Sequence, residues 1–156
     1  MTEKECSFLY RGFSSTVVEG VVQNQYLSDE RRPRNTDFEN HERANSWFEK
    51  KFGRRYRSRA WFGTGSPLIA GSYGIVYGFE PTNHSDSYCC WSPLIADMFN
   101  ALVVEQKRHM EIERILDDGL YEEFPWGDFE RRRNAIKSGN EVMVFSKEFR
   151  VFRCAA

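Results

Sequence analysis

Three groups of residues in this chain could do chemistry where they stand. Glu141 opens the apolar run Glu141-Val142-Met143-Val144-Phe145, which reads as a strand. Alternation puts Glu141, Met143 and Phe145 on one face and Val142 and Val144 on the other. A carboxylate at the mouth of such a strand either sits in solvent at a sheet end or is buried at a cost unless it has a partner. Arg11 follows the apolar Phe8-Leu9-Tyr10 and precedes Gly12. An arginine at the end of a buried strand implies a nearby anion, either the carboxylate of a structural ion pair or the phosphate of a ligand. Thr64-Gly65-Ser66-Pro67 runs from a strand into a short helix, with Ser66 as N-cap and Pro67 at the first helical position. Backbone N–H groups at that start could meet an anion.

The elements that must carry these groups are legible in outline. Strands are predicted at 6–13, 60–64, 75–81 and 88–91, and the strand from Glu141 is followed by a partner at 149–154. Val17 to Val22 suggest a further short strand or an apolar turn, and 28–35 a polar loop, solvated or ordered over a ligand. Thr36 and Glu39 form a capping-box pattern before a helix whose face carries Phe38, His41, Asn45, Phe48 and Phe52 and which stops at Gly53. His41 and Asn45 interrupt that apolar stripe, either as core hydrogen-bonders or as residues of a polar cleft. The run Arg54 to Arg59 reads as a solvated basic edge or as a phosphate contact. A second Ser-Pro start at Ser92-Pro93 predicts a long amphipathic helix to about Leu116, then an aromatic connector at 120–128 and a short helix at 129–137. Strands and helices do not alternate regularly, so the class is α+β, with a mostly antiparallel or split sheet in one domain over 1–156.

Composition bounds the function. The 156 residues carry 22 basic and 23 acidic side chains, a formal net charge of −1, which argues against blanketing nucleic acid with positive charge. Thirteen Phe, seven Tyr and four Trp supply a core or ring-lined clefts. Cys6, Cys89, Cys90 and Cys154 have no metal-type spacing, and His84, Cys89, Cys90 and His109 fit no common zinc pattern, so no metal is expected. The polar start and the lack of about 18 consecutive apolar residues point to a reduced, cytoplasmic protein with no membrane partner.

Taken in order, Leu9-Tyr10-Arg11-Gly12, Phe62-Gly63-Thr64-Gly65-Ser66 with Tyr73-Gly74, and Asn140-Glu141-Val142-Met143-Val144 resemble the arginine–serine–glutamate pattern of the mono-ADP-ribosyltransferases. The chain is also similar to small bacteriophage proteins. The resemblance implies an ADP-ribosyltransferase-like split β-sheet core with flanking helices, and NAD⁺ as substrate. It also implies a host macromolecule as acceptor, protein more than nucleic acid, reached in the host cytoplasm. Glu141 would orient the nicotinamide ribose and stabilise its oxocarbenium-like transition state. Arg11, with Gly12, would hold pyrophosphate or ribose. Thr64 and Ser66 would position Glu141 or the ribose, and Tyr73 would stack on the nicotinamide unless it packs in the core.

Two positions depart from the pattern. Gly65 stands where the family often has Thr. Gly139 stands where arginine-modifying members have a second acidic residue, which argues against arginine as acceptor. The alternative is a protein that keeps the fold but binds without catalysis, an inhibitor of a host or defence complex acting through the 121–126 loop or the Arg54–Arg59 run.

Overall fold

The computed structural model describes residues 8–33, 37–98, 100–102 and 111–153. In chain order its elements are β1 (Leu9–Phe13), β2 (Gly20–Gln23), α1 (Phe38–Phe52), α2 (Tyr56–Arg59), β3 (Trp61–Gly63), α3 (Pro67–Gly71), β4 (Ile75–Pro81), β5 (Tyr88–Trp91), α4 (Ile112–Asp118), β6 (Glu122–Pro125), α5 (Phe129–Ser138), β7 (Val142–Phe145) and β8 (Glu148–Phe152). The α+β class is as expected. Among the described residues the strands make two antiparallel four-stranded sheets, ordered β1-β4-β8-β2 and β3-β7-β5-β6. An isolated bridge joins β1 to the end of β3: Tyr10 N donates to Thr64 O at 2.8 Å, and Thr64 N to Tyr10 O at 3.0 Å.

The alternation expected for β7 decides how the sheets pack. Val142 and Val144 enter a core with Leu9, Trp61, Phe79 and Phe149. Met143 enters a second core with Phe48, Tyr56, Leu116 and Tyr121, and Phe145 packs against it. Strand β5 does the same with adjacent cysteines: Cys89 belongs to the first core and Cys90 to the second. The β3-β7-β5-β6 sheet is therefore apolar on both faces, with α1, α2 and α4 over one of them. Trp61 stacks on Phe149 at 4.2 Å between ring centroids, a contact worth about 0.5–1.5 kcal/mol beyond the area it buries.

Several local expectations change. Residue 36 lies outside the described residues, and α1 is capped by Asp37, whose Oδ1 accepts from Asn40 N at 2.8 Å. Phe38 is exposed, whereas His41, Ala44, Asn45, Trp47 and Phe48 are buried. The stop at Gly53 is as read, in left-handed backbone at φ 82°. The helix expected from Pro93 forms only in part: it is helical at 98 and 100–102, not from Pro93. Ser92 Oγ accepts from both Leu94 N and Ile95 N at 3.0 Å, closing a local turn, and Asp97 Oδ1 accepts from Asn100 N at 3.2 Å. Helix α4 begins at Ile112 after an extended Glu111, and 103–110 lie outside the described residues. The aromatic connector contains strand β6, paired to β5. Glu141 comes just before β7 rather than at its first position. No helix of the described residues is long and apolar enough to cross a membrane.

Candidate functional site

A cleft of about 820 Å³ opens where β1 and β3 meet, and Arg11, Gly12, Thr64, Tyr73 and Glu141 all line it. Glu141 reaches it because α5 ends at Gly139, which at φ 74° reverses the chain into β7. Glu141 N donates to Ala96 O at 2.9 Å, and its side chain is 21% exposed. Its Oε1 accepts from Arg57 Nη1 at 2.8 Å. Arg57 in turn lies 4.2 Å from the Phe62 ring centroid and is 14% exposed. The carboxylate is thus neither at a wet sheet edge nor buried alone.

Thr64 supports this turn rather than touching the carboxylate. Its Oγ1 donates to Gly139 O at 2.8 Å and accepts from Ser66 N at 3.1 Å. Both hydrogen-bonding roles of the hydroxyl are filled, so Thr64 ties the end of β3 to the backbone two residues before Glu141. The missing hydroxyl at position 65 has a steric cause. A Cβ on Gly65 would stand 1.9 Å from the carbonyl oxygen of Ile136 in α5, so no side chain fits. Gly12 is glycine for a similar reason: a Cβ there would lie 2.3 Å from Ala70 O. Gly12 lets α3 pack against β1 beside Arg11. Ser66 Oγ caps the five-residue α3 by accepting from Ile69 N at 3.2 Å. Tyr73 is 63% exposed, so it does not pack in the core; its hydroxyl donates to Asp97 Oδ2 at 2.7 Å across the cleft mouth.

The cleft is more cationic than its sequence-read residues suggest. Arg11 lies mid-strand, opposite Tyr77, with its guanidinium carbon 4.9 Å from the Trp61 ring and 5.2 Å from Phe13. Its Nη2 donates to Tyr26 Oη at 3.4 Å. Arg31, from the loop read as polar, is held between Tyr26 at 4.1 Å and Phe62 at 4.2 Å. Burial, then the charge of Arg11 and that of Arg57, push its pKa down to about 9, which leaves it cationic at neutral pH. His41 also lines the cleft, and burial and the charge of Arg57 push its pKa down toward the neutral form. Asn45 is a core hydrogen-bonder instead: its Oδ1 accepts from Ser58 N at 3.1 Å, and its Nδ2 is 3.3 Å from His41 Nε2.

The basic run is not a solvated edge. Arg54 pairs with Glu123 at 3.0 Å, Arg55 with Glu30 at 3.1 Å and Glu42 at 2.9 Å, Arg57 with Glu141 and Arg59 with Glu30 at 3.3 Å. Arg57 and Arg31 are the site residues that sequence reasoning missed. Neither spacing nor periodicity could find Arg57, because its partner is 84 residues away. The available signal was its place just before aromatic β3, facing the apolar alternation of β7. Among the described residues no cluster of His, Cys, Asp and Glu could hold a metal ion.

No family model, curated protein or solved structure matches the chain. The cleft can bind an elongated anion along its arginines, offer rings for stacking, and present one carboxylate to a developing cation at its end.

Proposed function

We propose that the chain is an NAD⁺-dependent mono-ADP-ribosyltransferase with an ADP-ribosyltransferase-like split-sheet fold, phage-encoded and acting on a host macromolecule in the host cytoplasm. The observation that carries this reading is the convergence of Arg11 from β1, Thr64 from the end of β3 and Glu141 from the start of β7 on one cleft at the β1–β3 bridge. Its volume of about 820 Å³ suits a dinucleotide, within the roughly 300–1,000 Å³ usual for ligand sites.

In this reading the pyrophosphate lies at Arg11, and the nicotinamide ribose lies at Glu141. The bond between nicotinamide N1 and ribose C1′ breaks heterolytically. Its electron pair neutralises the pyridinium, so nicotinamide leaves without a general acid. Glu141 orients the ribose hydroxyls and stabilises the cation forming at C1′. The acceptor's nucleophilic atom then bonds to C1′ and gives its proton to solvent or a base. Thr64, through Gly139 O, is a positioning residue that fixes the turn carrying Glu141, and Tyr73 flanks the nicotinamide end. Protein is favoured over nucleic acid as acceptor, and the left-handed Gly139 in place of an acidic residue argues against arginine as the residue modified.

The Glu141–Arg57 ion pair favours a second reading, a cleft that binds without catalysis and serves an inhibitor of a host or defence complex. Intact mass spectrometry of candidate host proteins incubated with NAD⁺ and the protein separates the two. The transferase reading expects an ADP-ribose mass addition and nicotinamide release, both lost in Glu141→Ala with the fold retained. A stable partner complex that survives Glu141→Ala, with no NAD⁺ consumed, would establish the binding protein instead.

A further inference from the structure

We propose that Asp97 is a second catalytic carboxylate of the cleft, the base that takes the proton of the incoming acceptor. The role rests on the NAD⁺ reading. Asp97 and Glu141 both line the cleft. Two bonds tie the segment carrying Asp97 to the turn carrying Glu141: Glu141 N donates to Ala96 O at 2.9 Å, and Asn140 Nδ2 donates to Ser92 O at 3.0 Å. Asp97 therefore stands one residue from the backbone contact that seats Glu141. It is half-buried at the cleft mouth, where Tyr73 Oη donates to its Oδ2 at 2.7 Å and Asn100 N to its Oδ1 at 3.2 Å. The bond to Asp97, burial, and the charges of Asp97 and Glu141 push the Tyr73 hydroxyl up to about 12, so it keeps its proton and stays the donor. Both carboxylates thus act on one tyrosine at the mouth.

The two carboxylates divide the work. Glu141 accepts from Arg57 at 2.8 Å and must stay charged while the cation forms at ribose C1′. It cannot take a proton at that moment and keep its role. As the acceptor's lone pair bonds to C1′, the acceptor's N–H or O–H bond breaks. The electron pair of that bond stays on the acceptor atom, and the proton passes to an oxygen of Asp97. The carboxylic acid so formed returns the proton to water. Two neutral donors fix the plane of the Asp97 carboxylate and use one lone pair on each oxygen, which leaves a lone pair on each for the acceptor. His41 is another base on the cleft wall, but it is buried on α1 with its Nε2 3.3 Å from Asn45 Nδ2. The arrangement selects an acceptor that must lose a proton, a hydroxyl or an N–H group, over a carboxylate, which two cleft carboxylates would repel.

The test compares nicotinamide release and product mass for native, Asp97→Asn, Asp97→Ser and Glu141→Gln protein, incubated with NAD⁺ in water and with added azide. Asparagine and serine cap a helix start as aspartate does, so the bond from Asn100 N is kept while the carboxylate is lost. Azide attacks C1′ with no proton to give up, so it bypasses a missing base and does not replace Glu141. The expected result is a loss of about 10²-fold or more in NAD⁺ hydrolysis for both Asp97 variants, with azide restoring turnover to within about tenfold of native and yielding ADP-ribosyl azide. Glu141→Gln stays inactive with azide. The base is overturned if a folded Asp97 variant hydrolyses NAD⁺ within about twofold of native. It is also overturned if azide restores neither variant, which would make Asp97 only a cap and a tether for Tyr73. Turnover lost in Glu141→Gln alone would remove the base and leave the transferase. Native protein that releases no nicotinamide with either acceptor would overturn the transferase, and the base with it.

Discussion

The arginines of the run Arg54–Arg59 and the pair Arg11 and Arg31 live under different arrangements. Arg54, Arg55, Arg57 and Arg59 each meet a carboxylate from a distant part of the chain. Arg11 and Arg31 face rings: Trp61 and Phe13 for one, Tyr26 and Phe62 for the other. A carboxylate neutralises a guanidinium and uses its directional donors. An aromatic face steadies the plane and leaves in-plane donors for something else. The 54–59 set therefore ties distant parts of the chain together, and Arg57 joins both arrangements, paired with Glu141 and set over Phe62. Similar residues a few positions apart thus do different work because of what lies opposite them.

The largest expected effect lies at the carboxylate that joins the two sets. Glu141→Gln should lower nicotinamide release by about 10²–10³-fold while leaving the melting temperature and ADP-ribose binding close to native. Unchanged turnover would mean that the carboxylate is only the mate of Arg57. Next comes the close approach that holds its turn. Gly65→Ala drives a Cβ into the Ile136 carbonyl and should cost about 1–3 kcal/mol or more in urea unfolding. The third test contrasts two arginines of the 54–59 run. Arg57→Ala leaves the largely buried Glu141 unmatched and should cost about 1–3 kcal/mol and also disturb turnover. Arg55→Ala, whose partners are each 36% exposed, should cost about 1 kcal/mol or less and leave ADP-ribose affinity unchanged. Equal effects on ligand binding would erase the distinction.

The smallest effect is a pH dependence within the 54–59 set. Burial raises the pKa of Glu30, but the Ser58 hydroxyl, then the bonds and charge of Arg55, with Arg59, overcome it and pull the group from its ordinary 4.5 to about 2. A carboxyl depressed in the folded state stabilises above its unfolded value and loses that contribution as pH falls. Native protein should therefore lose stability relative to Glu30→Gln between about pH 4.5 and pH 2, followed by thermal melts. A constant difference across that window would show that Glu30 is not held by Ser58 and the arginines.

What could be read in advance was what depends on neighbours in sequence. The β7 alternation, the stop at Gly53, the Ser66 cap and the break at Gly139 are local and came out as read. The helix expected from Pro93 starts later, at 98, because the 3–4 spacing of apolar residues carries no information about Ser92, whose hydroxyl satisfies two successive N–H groups in a turn. The polar loop around Arg31 and the four-residue α2 have no period to read. Their role is set by Tyr26, Phe62 and Glu141, which only the fold brings near. Arg11 and Glu141 were legible as residue types, but Arg57 between Glu141 and Phe62 was not.

The adjacent thiols of β5 give the molecule a pair of built-in reporters. Cys89 and Cys90 are both buried, in different cores, and burial drives both thiols well above their ordinary pKa, so neither reacts with an alkylating reagent while its core is closed. With Cys6 and Cys154 replaced by serine, Cys90→Ala and Cys89→Ala proteins would each carry a single thiol whose alkylation rate times the opening of one core. Matching rates would mean that the layers on the two faces of the β3-β7-β5-β6 sheet part together. Separate rates would make the helical layer and the sheet-against-sheet layer distinct cooperative units.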